Sequence, residues 1–378
     1  MGVGMEGNGG EARVTVIMGT RAQVIKMAPV LLELERRVVE YRLVLTGQHR
    51  DTVAELLEEF GVRTAERLLV DRPDVKGRGE AVTWLARVVW RLWRSRKDWA
   101  GTRSRPAEVL VHGDTFSTLV GAVVARLAGA RVLHVEAGLR SHDWRNPFPE
   151  ELVRVAVSRL AHVGYCPGEW ACGNLRSRKL RVVDTGANTI LDSLRLAVGR
   201  TSMPDGAERA GPAVVSIHRF ENLYSVERLA RILSTVEAIS ERFQVLMVLH
   251  PSTRKRLGQT GDLEILESNP RVSLRERMTY LPFMRHLAEA ALVVTDGGSN
   301  QEELSYLGVP TLLMRTATER QEGLGDNVVL DGLDARVSER FVEAVAEGGY
   351  RGPAKLDSEC CPSEVIVADI LRRLEQGG

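Results

Sequence analysis

Short apolar runs rich in β-branched residues alternate, along almost the whole chain, with longer stretches of helical periodicity. Arg13–Met18, Arg42–Thr46, Glu108–His112, Arg131–Val135, Val163–Tyr165 and Arg181–Asp184 read as strands in the first half. Ala213–Ile217, Gln244–Leu249, Arg271–Leu274, Ala291–Thr295, Pro310–Met314 and Asn327–Leu330 repeat the pattern in the second. Helices are predicted between them, among others over Pro29–Val39, Asp51–Phe60 and Val82–Trp99, the last carrying Trp84, Trp90, Trp93 and Trp99. Strands that are apolar throughout and separated by helices belong to parallel sheets covered on both faces. The expectation is therefore an α/β chain of two doubly wound domains facing across a cleft. The expected divisions are a tail at 1–11, an N-terminal domain at 12–197, a linker at 198–211 and a C-terminal domain at 212–360. The final segment, 361–378, holds a helix over Ser363–Glu375 that the pattern allows to pack on either domain, the N-terminal one included.

The length, 378 residues, suits two domains. A hydrophobic fraction of 44% with a net charge of +1 excludes a disordered chain and argues against nucleic-acid binding through bulk charge. No apolar run approaches the roughly 20 residues of a membrane-spanning helix, so no membrane partner is expected. The Gly-rich, acidic start, Met1–Glu11, lacks the basic-then-apolar pattern of a signal peptide. Cys166, Cys172, Cys360 and Cys361 match no zinc spacing and read as packing residues of a reduced, cytoplasmic protein.

Ligands of doubly wound sheets sit beyond the carboxyl ends of the strands. Five such ends carry polar clusters. They are Gly19-Thr20-Arg21, with Lys26 on the following helix; His112-Gly113-Asp114-Thr115; His134 to Arg140, followed by Pro147 to Glu151 and Arg154; His218 to Asn222; and Asp296 to Glu303. Gly297-Gly298-Ser299 followed by a helix from about Gln301 suits a phosphate, and Glu303 one turn inside suits vicinal ribose hydroxyls. A glycine turn with an acidic first helical turn is the alternative. Asp114 and Glu136 end apolar strands, where carboxylates are partly buried and suited to proton transfer, or act as caps. Glu150 and Arg154 stand one helical turn apart, as site residues or as a surface ion pair. His218-Arg219 forms a cation pair suited to a diphosphate, a satisfied core histidine being the alternative.

Together these segments resemble the UDP-N-acetylglucosamine 2-epimerase family. The resemblance rests on Gly19-Thr20-Arg21, Ile25 to Pro29, Thr46 to Arg50, Val111 to Thr115, His134 to Ser141 and Pro147 to Glu151. His218-Arg219-x-Glu221-Asn222, Tyr280 to Phe283, Gln301-Glu302-Glu303 and Thr318-Glu319-Arg320 continue it in the same order. It implies a GT-B-like fold of two Rossmann-like domains, and inversion of C2 of the sugar of UDP-GlcNAc to give UDP-ManNAc. UDP is eliminated to a glycal and added back, which needs a base at C2 and stabilisation of the leaving diphosphate. By the same resemblance Asp114, Glu136 and Glu150 are the acid/base carboxylates. Arg21 and His218 act at the diphosphate, with Lys26 and Arg154 also in the site. Phe283 stacks on uracil, Glu303 holds the ribose, and Arg320 lies in the segment that closes the nucleotide pocket. Arg219, Glu221, Asn222, His250, Gly297, Gly298 and Ser299 complete the UDP-binding set. No metal or redox cofactor is implied, and a homodimer is.

The chain departs from the family pattern at several points. Ala22-Gln23 stands where Pro-Glu is usual, Gly297-Gly298-Ser299 for Ser-Gly-Gly, Val153 for Asn, and Ala187-Asn188-Thr189 for Gly-Asn-Thr. Asp51 and Gly77-Arg78-Gly79 differ from the activator segment of the allosteric bacterial enzymes. Four readings stay open at this point. They are a non-hydrolysing 2-epimerase, a hydrolysing one that releases a free ManNAc-type sugar and UDP, a GT-B glycosyltransferase, and a nucleotide-sugar-binding protein without activity.

Overall fold

The computed structural model describes residues 13–46, 50–63, 66–68, 78–102, 105–144, 148–199, 211–318 and 320–376. The tail 1–11, Gly47-Gln48-His49, Gly77, Pro147, Glu319 and nearly all of 198–211 lie outside the described residues. The chain divides into two compact units, Met1–Ser193 with Cys360–Gly378, and Leu194–Glu359.

The first unit is built on β1 (Val14–Met18), β2 (Tyr41–Leu45), β3 (Glu66–Leu68), β4 (Glu108–His112), β5 (Arg131–Val135), β6 (Val163–Cys166) and β7 (Arg181–Asp184). The second uses β8 (Ala213–Ser216), β9 (Val245–Leu249), β10 (Val272–Glu276), β11 (Val293–Thr295), β12 (Thr311–Leu313) and β13 (Val328–Leu330). The spatial orders are β3-β2-β1-β4-β5-β6-β7 and β10-β9-β8-β11-β12-β13. Every neighbouring pair is parallel. Each sheet therefore reverses its strand order once, between β1 and β4 and between β8 and β11, and the carboxyl ends at those reversals form the crevices where such folds bind ligands. All five residues of β1 are buried, as a central parallel strand covered on both faces requires. The described residues match the two doubly wound domains expected from the strand pattern.

The first helix shows where sequence periodicity misplaces a boundary. It runs from Arg21 to Arg36, not from Pro29, because Thr20 and Gln23 form a capping box at its start. Pro29 lies inside the helix and has no N–H to give the Ile25 carbonyl. The Ser193 hydroxyl donates to that carbonyl instead, at 2.6 Å. The Trp-bearing helix is likewise two pieces, Arg78–Arg94 and Arg96–Trp99. Trp84 and Trp99 enter the core, while Trp90 and Trp93 stay exposed under the guanidinium groups of Arg94 and Arg96, 5.3 and 4.2 Å from the ring centres. The short strand β3 carries too few residues to register as a sequence pattern.

The last helix, Pro362–Gln376, belongs to the first unit. Its Asp369 is fully buried and accepts from the Tyr165 hydroxyl at 3.0 Å and from Arg181 at 2.6 Å. Arg373 reaches the buried Glu108 at 3.1 Å, and Arg13 donates to the Leu374 carbonyl at 2.9 Å. Among the described residues no helix is long and apolar enough to cross a membrane.

Candidate active site

In the first unit the turns after β1, β4 and β5 converge. Gly19 ends the approach of β1 where a Cβ would lie 2.1 Å from Thr46 Oγ1 and 2.3 Å from Ser117 Oγ, so only glycine fits. Gln23 then ties two turns together. Its Oε1 accepts from the Gly19 and Thr20 N–H groups at 2.8 and 3.1 Å, and its Nε2 donates to the His112 carbonyl at 2.8 Å. Gln23 also donates to Thr115 and Thr118 at 3.1 and 3.0 Å. The amide serves as acceptor and donor at once, which a carboxylate at this position does not do.

Glu136 follows β5 in the left-handed backbone region, φ 62°, an uncommon conformation for a side chain of this kind. Lys26 Nζ lies 2.5 Å from its Oε1, and Asn188 Nδ2 donates to the same oxygen at 2.8 Å. His112 Nε2 stands 3.1 Å from Oε2 without hydrogen-bond geometry. Burial pushes the His112 imidazole down to about 4 against the pull of the Glu136 charge, so it is neutral near pH 7. Burial also lowers His134, whose Nε2 lies 2.8 Å from the Gly113 carbonyl.

Asp114, after β4, meets Arg154, whose Nε and Nη2 lie 2.8 and 2.6 Å from one carboxylate oxygen. Arg154 thus turns to Asp114 on another element and not to Glu150 on its own helix. Glu150 opens the helix Glu150–Leu160, and its Oε2 is shielded from solvent without a hydrogen-bond partner. The neighbouring Glu151 is the structural member of this pair. Burial alone would raise its carboxyl, but hydrogen bonds from Arg140 at 2.6 Å and the Ser141 N–H at 3.1 Å hold it below the ordinary range. Arg21 is the first residue of its helix and is half-buried. Lys26, Asp114, Glu136 and Arg154 thus sit in one linked neighbourhood.

The second unit repeats the arrangement at the reversal between β8 and β11. Asp296, fully buried after β11, accepts from the His218 and Arg219 N–H groups at 3.1 and 2.9 Å and from Asn222 Nδ2 at 3.0 Å. His218 Nδ1 stands 3.2 Å from its Oδ1. The rings of His218 and His250 stack at 4.6 Å, and burial together with the His218 charge pushes His250 down to about 4. Arg219 pairs with Glu221 at 3.1 Å on the surface. Asn222 also donates to the Met314 carbonyl at 3.0 Å, locking this turn to β12.

Gly297 precedes a helix over Gly298–Leu307, so Gly298 and Ser299 lie in its first turn and not in a loop before Gln301. A Cβ on Gly297 would stand 2.5 Å from Asn300 Oδ1, and no side chain caps the helix start. Uncapped N–H groups at a helix start, with the positive end of the helix dipole, are suited to binding an anion. Glu303 is buried and accepts from Asn300 at 3.1 Å. Arg320 reaches Glu302 at 2.6 Å, while Gln301 accepts from Thr318 at 2.7 Å and donates to the Arg320 carbonyl at 3.2 Å. Phe283 is half-buried on the helix Tyr280–Glu289.

Sequence reasoning placed His112 and Asp296 in the strand-end clusters without giving either a role, and it noted Asn188 only within a departure from the family pattern. Asp296 carried the same signal as Asp114, a carboxylate directly after an apolar strand. The roles of Asn188 and His112 were not readable in the sequence, since they come from contacts with Glu136, which is remote in the chain. Among the described residues no three His, Cys, Asp or Glu side chains are grouped to hold a metal ion.

Residues 32–354 match the sequence profile described as UDP-N-acetylglucosamine 2-epimerase. A relative of that name from Methanococcus maripaludis is 30% identical over 341 residues, covering 85% of this chain and 88% of its own. The structure of UDP-GlcNAc 2-epimerase from Neisseria meningitidis bound to UDP-GlcNAc superposes with a TM-score of 0.77 at 27% identity, over 95% of this chain and 99% of that one. The Methanocaldococcus jannaschii UDP-GlcNAc 2-epimerase in complex with UDP-GlcNAc and UDP gives 0.75 at 27% identity, with the same coverages. Likeness of sequence over most of the chain and likeness of fold over nearly all of it agree: the chain belongs to the UDP-N-acetylglucosamine 2-epimerase family, a family of epimerases.

Proposed function

We propose that this protein is a non-hydrolysing epimerase that interconverts UDP-GlcNAc and UDP-ManNAc. The C2 proton of the sugar is not adjacent to a carbonyl, so direct deprotonation has no enolate to stabilise it. Elimination solves this. A carboxylate takes the C2 proton, the C1–O bond breaks toward the diphosphate, and a 1,2-unsaturated glycal and UDP result. The reverse addition delivers a proton to the other face of C2 and re-forms the C1–O bond. The overall change is inversion at C2 with no net gain or loss of atoms.

The observation that carries this reading is the set of carboxylates in the first unit. Glu136 is held rigidly by Lys26 and Asn188, Asp114 is oriented by Arg154, and Glu150 keeps one shielded oxygen without a partner. Oriented, partly desolvated carboxylates are suited to proton transfer on both faces of one carbon. In the second unit the uncapped start of Gly298–Leu307 and the His218-Arg219 turn suit the diphosphate, Glu303 the ribose, and Phe283 the uracil ring. We assign Arg21 to the diphosphate as well.

The test is a proton NMR time course with UDP-GlcNAc in heavy water. UDP-ManNAc carrying deuterium at C2 is the expected product. Free ManNAc with UDP would assign the hydrolysing reaction instead. Absence of C2 exchange would overturn the epimerase reading for this substrate.

A further inference from the structure

His112, the last residue of β4, is 3% exposed, and both of its ring nitrogens are shielded from solvent without a hydrogen-bond partner. A neutral imidazole always carries one N–H, and a buried N–H without an acceptor costs free energy. The sheet register sets what stands nearby. His112 pairs with Val135 on β5, so Glu136 begins the turn beside it. Glu136 Oε2 lies 3.1 Å from His112 Nε2, within reach of a hydrogen bond but out of line for one. The backbone of His112 is pinned from two sides. Its carbonyl accepts from Gln23 Nε2 at 2.8 Å and from the Thr118 hydroxyl at 2.5 Å.

We propose that His112 is a positioning residue for Glu136: with substrate bound, its neutral imidazole donates Nε2–H to Oε2 and so aims the carboxylate at the C2 proton. The inference rests on the epimerase reading, in which Glu136 works at C2. Lys26 and Asn188 hold Oε1, at 2.5 and 2.8 Å, and the imidazole fixes the rotation of the carboxylate about that anchor. Catalytic hydrogen bonds are often misaligned before substrate binds and tighten in the complex. The charged groups that act on His112 are Glu136 after β5, Lys26 on the first helix and Asp114 in its own turn, with His134 of β5 the other imidazole. Burial outweighs the pull of the Glu136 charge and keeps His112 neutral near pH 7. A neutral donor orients the carboxylate without placing a second cation beside Lys26. A second cation would favour the ionised carboxylate further and oppose its uptake of the C2 proton.

The experiment compares the wild type, His112→Leu and His112→Gln with UDP-GlcNAc. Leucine fills much of the imidazole's space without a donor, and glutamine keeps a neutral N–H donor. His112→Leu is expected to lower kcat about 10–100-fold, the worth of one hydrogen bond to a charged group. KM and the inhibition constant of UDP should stay within about twofold of the wild type, because His112 does not touch the substrate. His112→Gln should keep kcat within about fivefold of the wild type by restoring that donor. The profile of kcat/KM against pH is a readout that a packing role would not move. Its acid limb is expected to shift to higher pH in His112→Leu, since a carboxylate that loses an N–H donor holds its proton more tightly, and to stay in place in His112→Gln. Wild-type kcat in His112→Leu, an equal loss in both variants, or an unmoved acid limb in His112→Leu overturns the proposal. Carbon-13 NMR of the Glu136 carboxyl, assigned with Glu136→Gln, makes the same comparison without turnover, and identical titrations in the wild type and His112→Leu overturn the contact. A wild type that leaves UDP-GlcNAc unchanged overturns the epimerase reading, and the carboxyl titration then still decides whether His112 donates to Glu136.

Discussion

The Tyr165 hydroxyl donates to Asp369 Oδ2 at 3.0 Å, a contact between residues 204 positions apart that fastens the last helix to strand β6. Both groups are buried, and burial followed by the Asp369 charge pushes the Tyr165 phenol well up, so it remains a donor. Asp369→Ala removes the carboxylate and strands the hydroxyl and part of the Arg181 charge. Breaking a buried ionic network of this kind costs about 3 kcal/mol, and Asp369→Asn should cost less. Urea denaturation followed by circular dichroism checks this; an Ala variant within about 0.5 kcal/mol of the wild type would show that the contact does not hold the helix.

Ser193 and Pro29 should be energetically coupled through the Ile25 carbonyl. Ser193→Ala leaves that buried carbonyl without its 2.6 Å donor and is expected to cost about 1–2 kcal/mol. In a Pro29→Ala background the new backbone N–H can serve Ile25, so the same Ser193→Ala change should cost about 1 kcal/mol less. A double-mutant cycle in chemical denaturation measures the coupling, and equal costs in both backgrounds would reject it.

Asp114→Asn and Glu136→Gln should each lower turnover of UDP-GlcNAc by roughly 10²–10⁴-fold, the range for loss of a positioned acid or base. UDP affinity by calorimetry should change little, because neither residue is among those assigned to the nucleotide. Full activity in both variants, or loss of UDP binding in both, would show that the carboxylates are misassigned.

Protein stability should fall as the pH drops from 6.5 toward 4. The folded-state pKa of His112 is lowered to about 4, first by burial, while the unfolded chain titrates near 6.5. Between those values the unfolded state binds more protons, so stability rises with pH and is complete above 6.5. At pH 5.5 the His112 contribution to the loss is about 1.4 kcal/mol, one decade of proton binding. His162 and His250, also held at about 4 chiefly by burial, act in the same window. His112→Gln should therefore reduce the slope of stability against pH without abolishing it. Identical slopes would place His112 outside this effect.

The strands and the sheet class were legible in the amino-acid order because a parallel strand covered on both faces must be apolar over its whole length. Val14 to Met18 and Ala291 to Thr295 announce themselves in this way, and each is followed by the polar residues that cluster in the folded chain. Helix starts were less legible. The first begins where Thr20 and Gln23 cap each other, a local side-chain geometry that outweighs the pull of Pro29 toward a first turn. The reversal points also follow from strand order, which one-dimensional periodicity does not contain.

Only the tertiary structure decided which partners the polar residues take. Arg154 turned to Asp114 and not to Glu150, Asn188 and Lys26 met on one oxygen of Glu136, and Asp296 gathered the turn that carries His218. Periodicity records whether a residue faces core or solvent, since burial acts on every apolar group alike. A hydrogen bond or ion pair acts over about 3 Å between two particular groups, and which groups come that close depends on how distant turns are brought together by the sheet.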